Sequence, residues 1–551
     1  MKQWWIKHGK SVGGLLMVYV LTTVPFLTRY PYNWDAAQFE LSLQHFSIHM
    51  HQPHPPGYLL FVAVAKVLSF GLGNHWAVVA ESALFGAIAV VLLYVLTTEF
   101  WPEKRWVRLI ITLGFILNPL FWLYRETGLT YTVDAAAVLA LAWLCLGTLR
   151  YRQHKYFIAS CIVLPVACGL RPSLLILLGP LWLLAAWHHK RNWKFVLIWS
   201  GVCLGLALAW VIPLIILSGG IGAYWTDSTK LYRTVTQATS LFAGAPLLNV
   251  WQQIKLMIST LVYSWNSVWV GLVMALILGT LHMRSRQNWL ASWQQNRTML
   301  LWVLAWVVPA FIVYGFIHLG QLGYLVFLIP LGYLGIGSVL VWLEQRFTLW
   351  QLVVGLGLAA HAVIFLWVKP GYGHPEYRPV TVEQRWLQTA ARLAPNLFKL
   401  NRFVLAEHDE TVAAYETMLA TADPATTVII TVRDVMYPAA ANNLAVRNSE
   451  LFRELSVLGP DFQVIELAPQ RNYFLTATSA AMATTYDNTV LVPDSTHTII
   501  VAAHMLPDSV MPTNLILGRE QLPNVTSRYY RGIMDKPWTF LGYTIERPAD
   551  L

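Results

Sequence analysis

The chain has 551 residues, of which 56% are hydrophobic and 12% are charged. Its mean hydropathy of +0.50 excludes a soluble globular protein of this length and favours a protein with many membrane-spanning segments. The net charge of +10 does not indicate a nucleic-acid-binding protein. The excess of Lys and Arg lies in the hydrophobic part of the chain, residues 1–369, where positive charge sets membrane topology.

Apolar runs that approach the roughly 20 residues needed to cross a bilayer recur from Ser11 to Val368. They predict a polytopic α-helical membrane bundle with about eleven transmembrane helices. The predicted spans are 11–28, 76–97, 108–123, 135–150, 156–170, 173–188, 195–217, 252–280, 299–316, 322–343 and 348–368.

Basic residues cluster between several of these spans, and three lysines precede the first one. Because cytoplasmic loops carry the excess of Lys and Arg, we expect a cytoplasmic N-terminus. The odd number of spans then predicts an extracytoplasmic C-terminus. The run Tyr58–Leu72 is apolar but short for a span, and counting it would move the basic cluster at 104–108 outside. We therefore expect an interfacial helix there, within one outer loop over residues 29–75.

This first outer loop is the most polar stretch between the predicted spans. Its stretch Pro31–Phe61 contains Asp35, Glu40, His45, His49, His51 and His54, and includes a His54-Pro55-Pro56-Gly57-Tyr58 element whose prolines stop a helix from running through. A loop this polar in a chain so poor in charge indicates a site. The alternative for Asp35 is a helix cap, and for the histidines a structural role in the loop.

Other predicted outer loops add charged residues on the same side of the membrane. They supply Arg125, Glu126, Asp134, Arg171, Lys230 and His318. Carboxylates that can accept a proton thus share one face with cations that can hold a phosphate. For several of these residues a plainer role stays open: a helix cap for Asp134, an interfacial anchor for Arg171, and ordinary loop charge for Lys230.

From Gly371 onward the long apolar runs end and acidic residues become frequent. We expect a separate extracytoplasmic α/β domain over residues 370–551, large enough for a core of its own. Its predicted helices are Trp386–Leu400 and Asp409–Ala422, and its predicted strands are Thr427–Val432, Phe462–Leu467, Thr489–Val492 and His497–Ala502. Nothing in this part has catalytic spacing, so we expect it to bind an acceptor or a partner.

The order of these motifs resembles the C-type (GT-C) superfamily of polytopic membrane glycosyltransferases. The resemblance is carried by an acid shortly after the first span, by the His-Pro-Pro-Gly-Tyr element, and by the Asn-Pro-x-Phe-Trp…Glu…Thr-Tyr pattern over 118–131. Within that superfamily the chain is most similar to the protein O-mannosyltransferase and lipid A aminoarabinose transferase branches. One departure is that Ala36, and not a second acid, follows Asp35.

The resemblance implies an inverting transferase that moves a sugar from a polyprenyl-phosphate donor on the extracytoplasmic side of the membrane. It implies Asp35 as the general base and Glu126, or less directly Asp134, as the second acid. His54 would contact the donor phosphate or a metal. Arg125, Arg171, Lys230, His318 and Tyr58 complete the candidate substrate and phosphate ligands. A divalent cation (Mn, Mg or Zn) held by Asp35, His51 and His54, with Glu126, is a further hypothesis.

A polytopic transporter, or a protein that binds or flips a lipid-linked saccharide, is the alternative class. The chain shows no clear internal repeat, and its carboxylates lie toward the outer rim, which favours the enzyme. The expected partners are the lipid-linked sugar donor, the bilayer, and an acceptor that is protein, lipid or glycan. The expected location is a bacterial plasma membrane.

Overall fold

A computed structural model describes residues 2–237, 239–265, 297–345, 350–367, 401–432, 435–436, 445–446, 451–468, 473–476, 488–502, 515–522 and 526–550. The predicted helix Trp386–Leu400 and the predicted domain boundary at residue 370 lie outside these ranges. The boundary between membrane and soluble parts therefore stays a prediction.

Helices account for most of the described residues up to 367. They are α1 Lys2–Thr23, α2 Trp34–Gln44, α3 Leu59–Leu72, α4 Asn74–Phe100, α5 Arg105–Ile116, α6 Pro119–Tyr124, α7 Tyr131–Tyr151, α8 His154–Leu170, α9 Leu174–His188, α10 Trp193–Leu217, α11 Ile221–Thr236, α12 Leu247–Ser264, α13 Arg297–Ile312, α14 Ile329–Glu344 and α15 Trp350–Trp367. Two further helices, α16 Arg402–Ala420 and α17 Leu451–Leu458, belong to the C-terminal part.

Within the part of the chain that the structure describes, six helical stretches are long and apolar enough to cross a membrane. They are Trp4–Phe26, Asn74–Phe100, Tyr131–Tyr151, Lys190–Leu217, Arg297–Ile317 and Trp350–Trp367. Shorter apolar helices stand at Leu59–Leu72, His154–Leu170, Leu174–His188 and Ile329–Glu344. The prediction of a polytopic helical membrane protein is confirmed. The number eleven stays a prediction.

The predicted span 108–123 is wrong as one continuous helix. Helix α5 ends at Ile116, and α6 starts at Pro119 after Asn118, whose side-chain oxygen accepts the backbone N–H groups of Leu120 and Phe121 at 3.1 Å each. Capping by Asn and a proline in the first turn are typical of a new helix start. Hydropathy alone predicted one continuous span here, whereas the Asn118-Pro119 pair indicates the start of a second helix.

The turn between α6 and α7 packs closely against α4. A Cβ on Gly128 would lie 2.8 Å from Val78 Cγ1, so only glycine lets the turn approach this helix. Two hydrogen bonds join the same surfaces: Ser82 Oγ donates to the carbonyl of Tyr124 at 3.1 Å, and Thr132 Oγ1 donates to the carbonyl of Ser82 at 2.8 Å. The second predicted outer loop is therefore a buried, ordered part of the bundle.

The described residues of the chain divide into two compact units. The bundle unit consists of Met1–Leu27 and Pro56–Val404. The loop–sheet unit consists of Thr28–Pro55 together with Leu405–Leu551. Most of the polar first loop, including α2, is thus part of the C-terminal unit although it lies far from that unit in sequence.

The loop–sheet unit is built on a six-stranded mixed sheet. Its strands are β1 Thr427–Val432, β4 Gln463–Ala468, β5 Tyr473–Thr476, β7 Thr498–Ala502, β8 Ile516–Gln521 and β9 Thr526–Ile533, in the spatial order β5-β4-β1-β7-β9-β8. Strand β1 pairs in parallel with β4 and β7, and the other pairs are antiparallel. The remaining short strands are β2 Val435–Met436, β3 Ala445–Val446, β6 Thr489–Leu491, β10 Trp538–Phe540 and β11 Tyr543–Glu546.

Both faces of this sheet are covered. Every residue of β1 is buried, as expected for a central strand of a sheet with two packed faces. One face packs on residues of the small sheet β10-β11-β6, among them Trp538 and Ile545. The other packs on α16 and α17 through Tyr415 and Leu455. The predicted α/β character holds for the described residues of this unit.

Candidate active site

Helix α2 presents the predicted catalytic acid in its first turn. Asn33 is the residue that caps this helix, because its side-chain oxygen accepts the backbone N–H of Ala36 at 3.0 Å. The alternative in which Asp35 caps the helix is therefore wrong. The Asp35 side chain remains 27% exposed, whereas the following helical residues are buried. The sequence thus uses one polar residue to start the helix and places a carboxylate just inside it.

Asp35, Gln38 and His54 form a small polar cluster within the loop–sheet unit. Asp35 and Gln38 are three residues apart and share one face of α2. The Nδ1–H of His54 donates to Oε1 of Gln38 at 2.8 Å, and the same nitrogen lies 3.6 Å from Oδ1 of Asp35. The ring also packs on Phe39, with 5.9 Å between ring centroids. This contact fixes the orientation of the imidazole beside the candidate base.

The structure does not bring the predicted metal ligands into a three-ligand cluster. Within the described residues, no group of three or more His, Cys, Asp or Glu side chains could hold a metal ion. Asp35 and His54 are neighbours, and His51 is a buried residue with a left-handed backbone (φ 56°) near the start of the Gln52-Pro53 turn. This donor set does not fit the proposed Asp35–His51–His54 cation site, so no chemical step below depends on a cation.

A second polar cluster lies inside the bundle unit around Arg171. Its guanidinium donates to Oδ2 of Asp134 at 2.5 Å, and both side chains are buried. The guanidinium also lies over two aromatic rings, Tyr131 at 4.9 Å and Tyr324 at 4.7 Å from their centroids. Three segments that are distant in sequence thus converge at this cation: the start of α7, the turn after α8 and the stretch around Tyr324. The interfacial-anchor alternative for Arg171 does not describe this environment.

Three more polar groups border this cluster: Tyr58 and His318, which the sequence had singled out, and Tyr314, which it had not. Tyr58 is within electrostatic reach of Arg171, and buried Tyr314 stacks on Tyr324. His318 lies beside Tyr324 and is 3.2 Å from Oγ1 of Thr239. Among the described residues, the Arg171 Nε, the Asp134 Oδ1 and the Tyr314 hydroxyl have no hydrogen-bond partner. The cluster therefore has polar atoms available to a ligand or to water.

Arg125 and Glu126 are both fully buried, although the sequence predicted them in an outer loop. Arg125 donates to the carbonyls of Ile116 and Thr22 at 2.8 Å each, and its guanidinium lies 4.7 Å from the centre of the Tyr19 ring. Glu126 is fully buried beside Arg125 and interacts with the indole of Trp122. These contacts are those of residues that hold helices together, and the predicted catalytic and phosphate roles of the pair stay predictions.

Lys230 lies on α11 and is exposed. The same helix contacts the end of the His-Pro-Pro-Gly-Tyr element, because the Tyr224 hydroxyl donates to the carbonyl of Pro56 at 3.1 Å. Lys230 is two turns further along. The structure therefore places this cation on a helix that borders the element.

Sequence reasoning missed Gln38, Glu81 and Arg453. Gln38 could have been found from its spacing of three residues from Asp35, which indicates a shared helix face. Glu81 lies on α4 and is fully buried, which its position in an apolar run does not reveal. Arg453 had no local signal, because its importance depends on contacts with residues some 400 positions earlier.

The fold and these buried polar clusters define a polytopic membrane protein that resembles the GT-C superfamily. No family model matches the chain. The chain is 25% identical over 150 residues to Protein O-mannosyl-transferase tmem260 of Dictyostelium discoideum. That match covers 26% of this chain and 18% of the other protein, so the chain matches under a fifth of that relative's length.

Solved structures of ArnT from Cupriavidus metallidurans share the fold over nearly the whole chain. The structure bound to undecaprenyl phosphate has a TM-score of 0.53 and 12% identity, and covers 96% of this chain and 99% of that one. The apo structure has a TM-score of 0.55 with the same identity, and covers 96% and 98%. At this identity the likeness establishes the fold and leaves activity to be argued from the residues.

Proposed function

We propose that the chain is an integral-membrane glycosyltransferase that moves a sugar from a polyprenyl-phosphate donor to an acceptor hydroxyl on the extracytoplasmic side. The observation that carries this proposal is Asp35, partly exposed in the first turn of a capped helix, with the His54 imidazole held beside it by Gln38. A carboxylate next to an oriented imidazole is suited to proton transfer. The fold shared with ArnT, which has been solved with undecaprenyl phosphate, supports the donor class.

In the proposed reaction Asp35 acts as the general base. The acceptor oxygen attacks the anomeric carbon while its proton passes to the Asp35 carboxylate. The bond between that carbon and the phosphate oxygen breaks, and the lipid phosphate leaves with the electron pair. Attack from the face opposite the leaving group inverts the anomeric configuration.

The leaving phosphate needs hydrogen-bond donors and positive charge. As an imidazolium, His54 would donate Nε2–H to a phosphate oxygen while Gln38 retains Nδ1–H. In the bundle unit, the Arg171 Nε and the Tyr314 hydroxyl are buried donors with no protein acceptor among the described residues. We propose that these two residues, with Tyr58, His318 and Lys230, form a phosphate-binding cluster of the bundle unit.

The test is sugar transfer by the purified full-length protein in detergent, with a panel of radiolabelled polyprenyl-phosphate sugars. Asp35→Asn keeps the size of the side chain but removes the base, so transfer should fall by at least about 1000-fold (~4 kcal/mol of barrier). Asp461→Asn, which changes an exposed acid of the same unit, is the matched control. Full activity of Asp35→Asn on any donor that turns over would contradict the proposed base.

The alternative is a transporter or flippase for a lipid-linked saccharide, and Glu81 is the observation that favours it. A fully buried carboxyl group on a spanning helix is a common feature of transport pathways. Reconstituted vesicles separate the two classes. Movement of a labelled donor across the bilayer without transfer, abolished by Glu81→Gln and unaffected by Asp35→Asn, would establish the alternative.

A further inference from the structure

The segment 29–54 of the first loop contacts the C-terminal part of the chain near its beginning and near its end. Helix α16 holds the beginning of the loop: Oδ2 of Asp409 accepts the backbone N–H of Arg29 at 3.0 Å, and Oδ1 accepts that of Tyr30 at 3.3 Å. The Nε2–H of His408 donates to the carbonyl of Pro31 at 2.8 Å. Three successive residues of the loop thus have a backbone group satisfied by side chains from one helical turn.

The Tyr30 side chain adds a fourth contact with α16. Its hydroxyl donates to Oε2 of Glu416 at 2.5 Å. Burial, together with this hydrogen bond, raises the pKa of Tyr30 to about 12, so the hydroxyl keeps its proton at neutral pH. The Tyr30 hydroxyl is therefore a donor to Glu416 at neutral pH.

Arg453 on α17 contacts the loop at two separate points. One guanidinium nitrogen donates to the carbonyl of Met50 at 2.9 Å, and the guanidinium lies 5.2 Å from the centre of the Trp34 ring. Trp34 in turn packs against the core cluster of α16, α17 and the sheet. The Arg453 side chain is 4% exposed, so a charged group is buried at this position.

The positions of these two contacts are informative. Trp34 directly precedes Asp35, and Met50 lies four residues before His54. Arg453 therefore contacts the loop just before Asp35, through the Trp34 ring, and again four residues before His54, through the Met50 carbonyl. A loop of this length costs about 1–2 kcal/mol of conformational entropy per ordered residue, so it needs such contacts to keep one conformation.

We propose that Arg453 is a positioning residue for the reaction: it holds the Asp35 and His54 ends of the first loop in one geometry. The C-terminal sheet then serves the site as the scaffold of its catalytic loop, and not mainly as a module for acceptor binding. The catalytic consequence rests on the proposed function, whereas the ordering of the loop does not. Misplacement of a reacting group by about 1 Å can cost about 100-fold in rate.

Three variants test this role. Arg453→Met removes the charge and the donor but keeps much of the apolar stem, and Arg453→Lys keeps one charged donor. Arg531→Met is the matched control, because Arg531 belongs to the same unit and donates to Thr421 Oγ1 instead of the loop. Hydrogen exchange measured by mass spectrometry reports on peptides from residues 29–54 and, separately, on β1 and β7.

In Arg453→Met we expect exchange in 29–54 to rise at least about tenfold with β1 and β7 unchanged. We expect kcat to fall about 100-fold with an unchanged KM for the donor. Arg453→Lys should recover most of both properties, and Arg531→Met should match wild type. Unchanged exchange in 29–54 overturns the proposal, and so does faster exchange with wild-type kcat.

Two further results keep the proposals separate. If wild type transfers no sugar from any donor, the proposed function fails, and the exchange data still decide whether Arg453 orders the loop. If Arg453→Met also exposes β1, Asp409→Ala replaces it, since this change removes the acceptor for the Arg29 and Tyr30 N–H groups. Faster exchange confined to the loop in that variant supports the scaffold role, and unchanged exchange overturns it.

Discussion

The guanidinium of Arg171 and the carboxylate of Asp134 form an ion pair at 2.5 Å, with side-chain exposures of 5% and 0%. Two buried charges in a membrane bundle are tolerated because each neutralises the other and because Tyr131 and Tyr324 lie against the cation. The pair joins the start of α7 to the turn between α8 and α9. It therefore ties two elements of the candidate donor-binding region together.

Breaking this pair on one side should be more costly than removing it entirely. Asp134→Asn or Arg171→Gln leaves one buried charge uncompensated, so we expect a loss of about 3–5 kcal/mol in the free energy of unfolding. The double variant should lose less than either single one. Thermal unfolding in detergent measures this, and a sum of the two single losses in the double variant would contradict the coupling.

The matched control for this pair is Lys104–Glu344, which is 2.8 Å long but has side-chain exposures of 43% and 27%. Exposed pairs contribute about 0–1 kcal/mol. Lys104→Met should therefore shift the unfolding temperature by much less than Arg171→Gln. Equal shifts would mean that burial does not determine the strength of the Arg171 pair.

Gln38 should matter through the acceptor that it presents to His54. Gln38→Leu removes Oε1 and releases the imidazole, whereas Gln38→Glu keeps an acceptor for Nδ1–H. We expect kcat/KM to fall on the order of tenfold (~1.4 kcal/mol) in Gln38→Leu and much less in Gln38→Glu. If both variants lose the same activity, the His54 contact is not the reason for the loss.

Glu81 should be replaceable by an apolar residue at no cost to stability. Within the described part of the chain neither carboxyl oxygen hydrogen-bonds to a side chain, and the backbone of Ala65 lies beside it. Burying such a group costs about 1–3 kcal/mol, so Glu81→Leu should raise the free energy of unfolding. The neighbouring change Ser82→Ala removes the hydrogen bond to the Tyr124 carbonyl, so it should lower the free energy of unfolding by about 1 kcal/mol.

The Glu81 variant also bears on function. Unchanged sugar transfer by Glu81→Leu is expected for a transferase whose chemistry takes place at Asp35. Loss of activity in a variant that is more stable than wild type would show that this carboxyl group has a direct role.

Asn33 should be required for the first turn of α2. Asn33→Ala removes the acceptor for the Ala36 N–H and should cost about 1 kcal/mol locally, whereas Asn33→Asp keeps an acceptor. Hydrogen exchange over residues 34–44 measures the local loss. Equal protection in Asn33→Ala and wild type would mean that packing of the buried face of α2, and not the cap, holds the helix.

Some features were predictable because they depend on local chemistry. The long apolar runs predicted membrane helices, the short run at 58–72 predicted the helix Leu59–Leu72, and β-branched runs predicted strands such as Thr427–Val432. The proximity of Asp35 to His54 was also expected from the sequence, since both lie in one loop. The break of the predicted span 108–123 was missed because hydropathy does not register an Asn-Pro helix start.

By itself, the amino-acid sequence determined the class of protein: a polytopic helical membrane protein with GT-C-like motifs, because hydropathy and short polar motifs are local properties. Only the tertiary structure decided the environment of each polar residue. In the structure Arg125 is buried and hydrogen-bonds to the Ile116 carbonyl, and Arg171 pairs with Asp134. The part of the first loop up to Pro55 belongs to the C-terminal unit. The physical reason is that burial and ion pairing depend on which distant segments meet, as when Arg453 reaches the carbonyl of Met50.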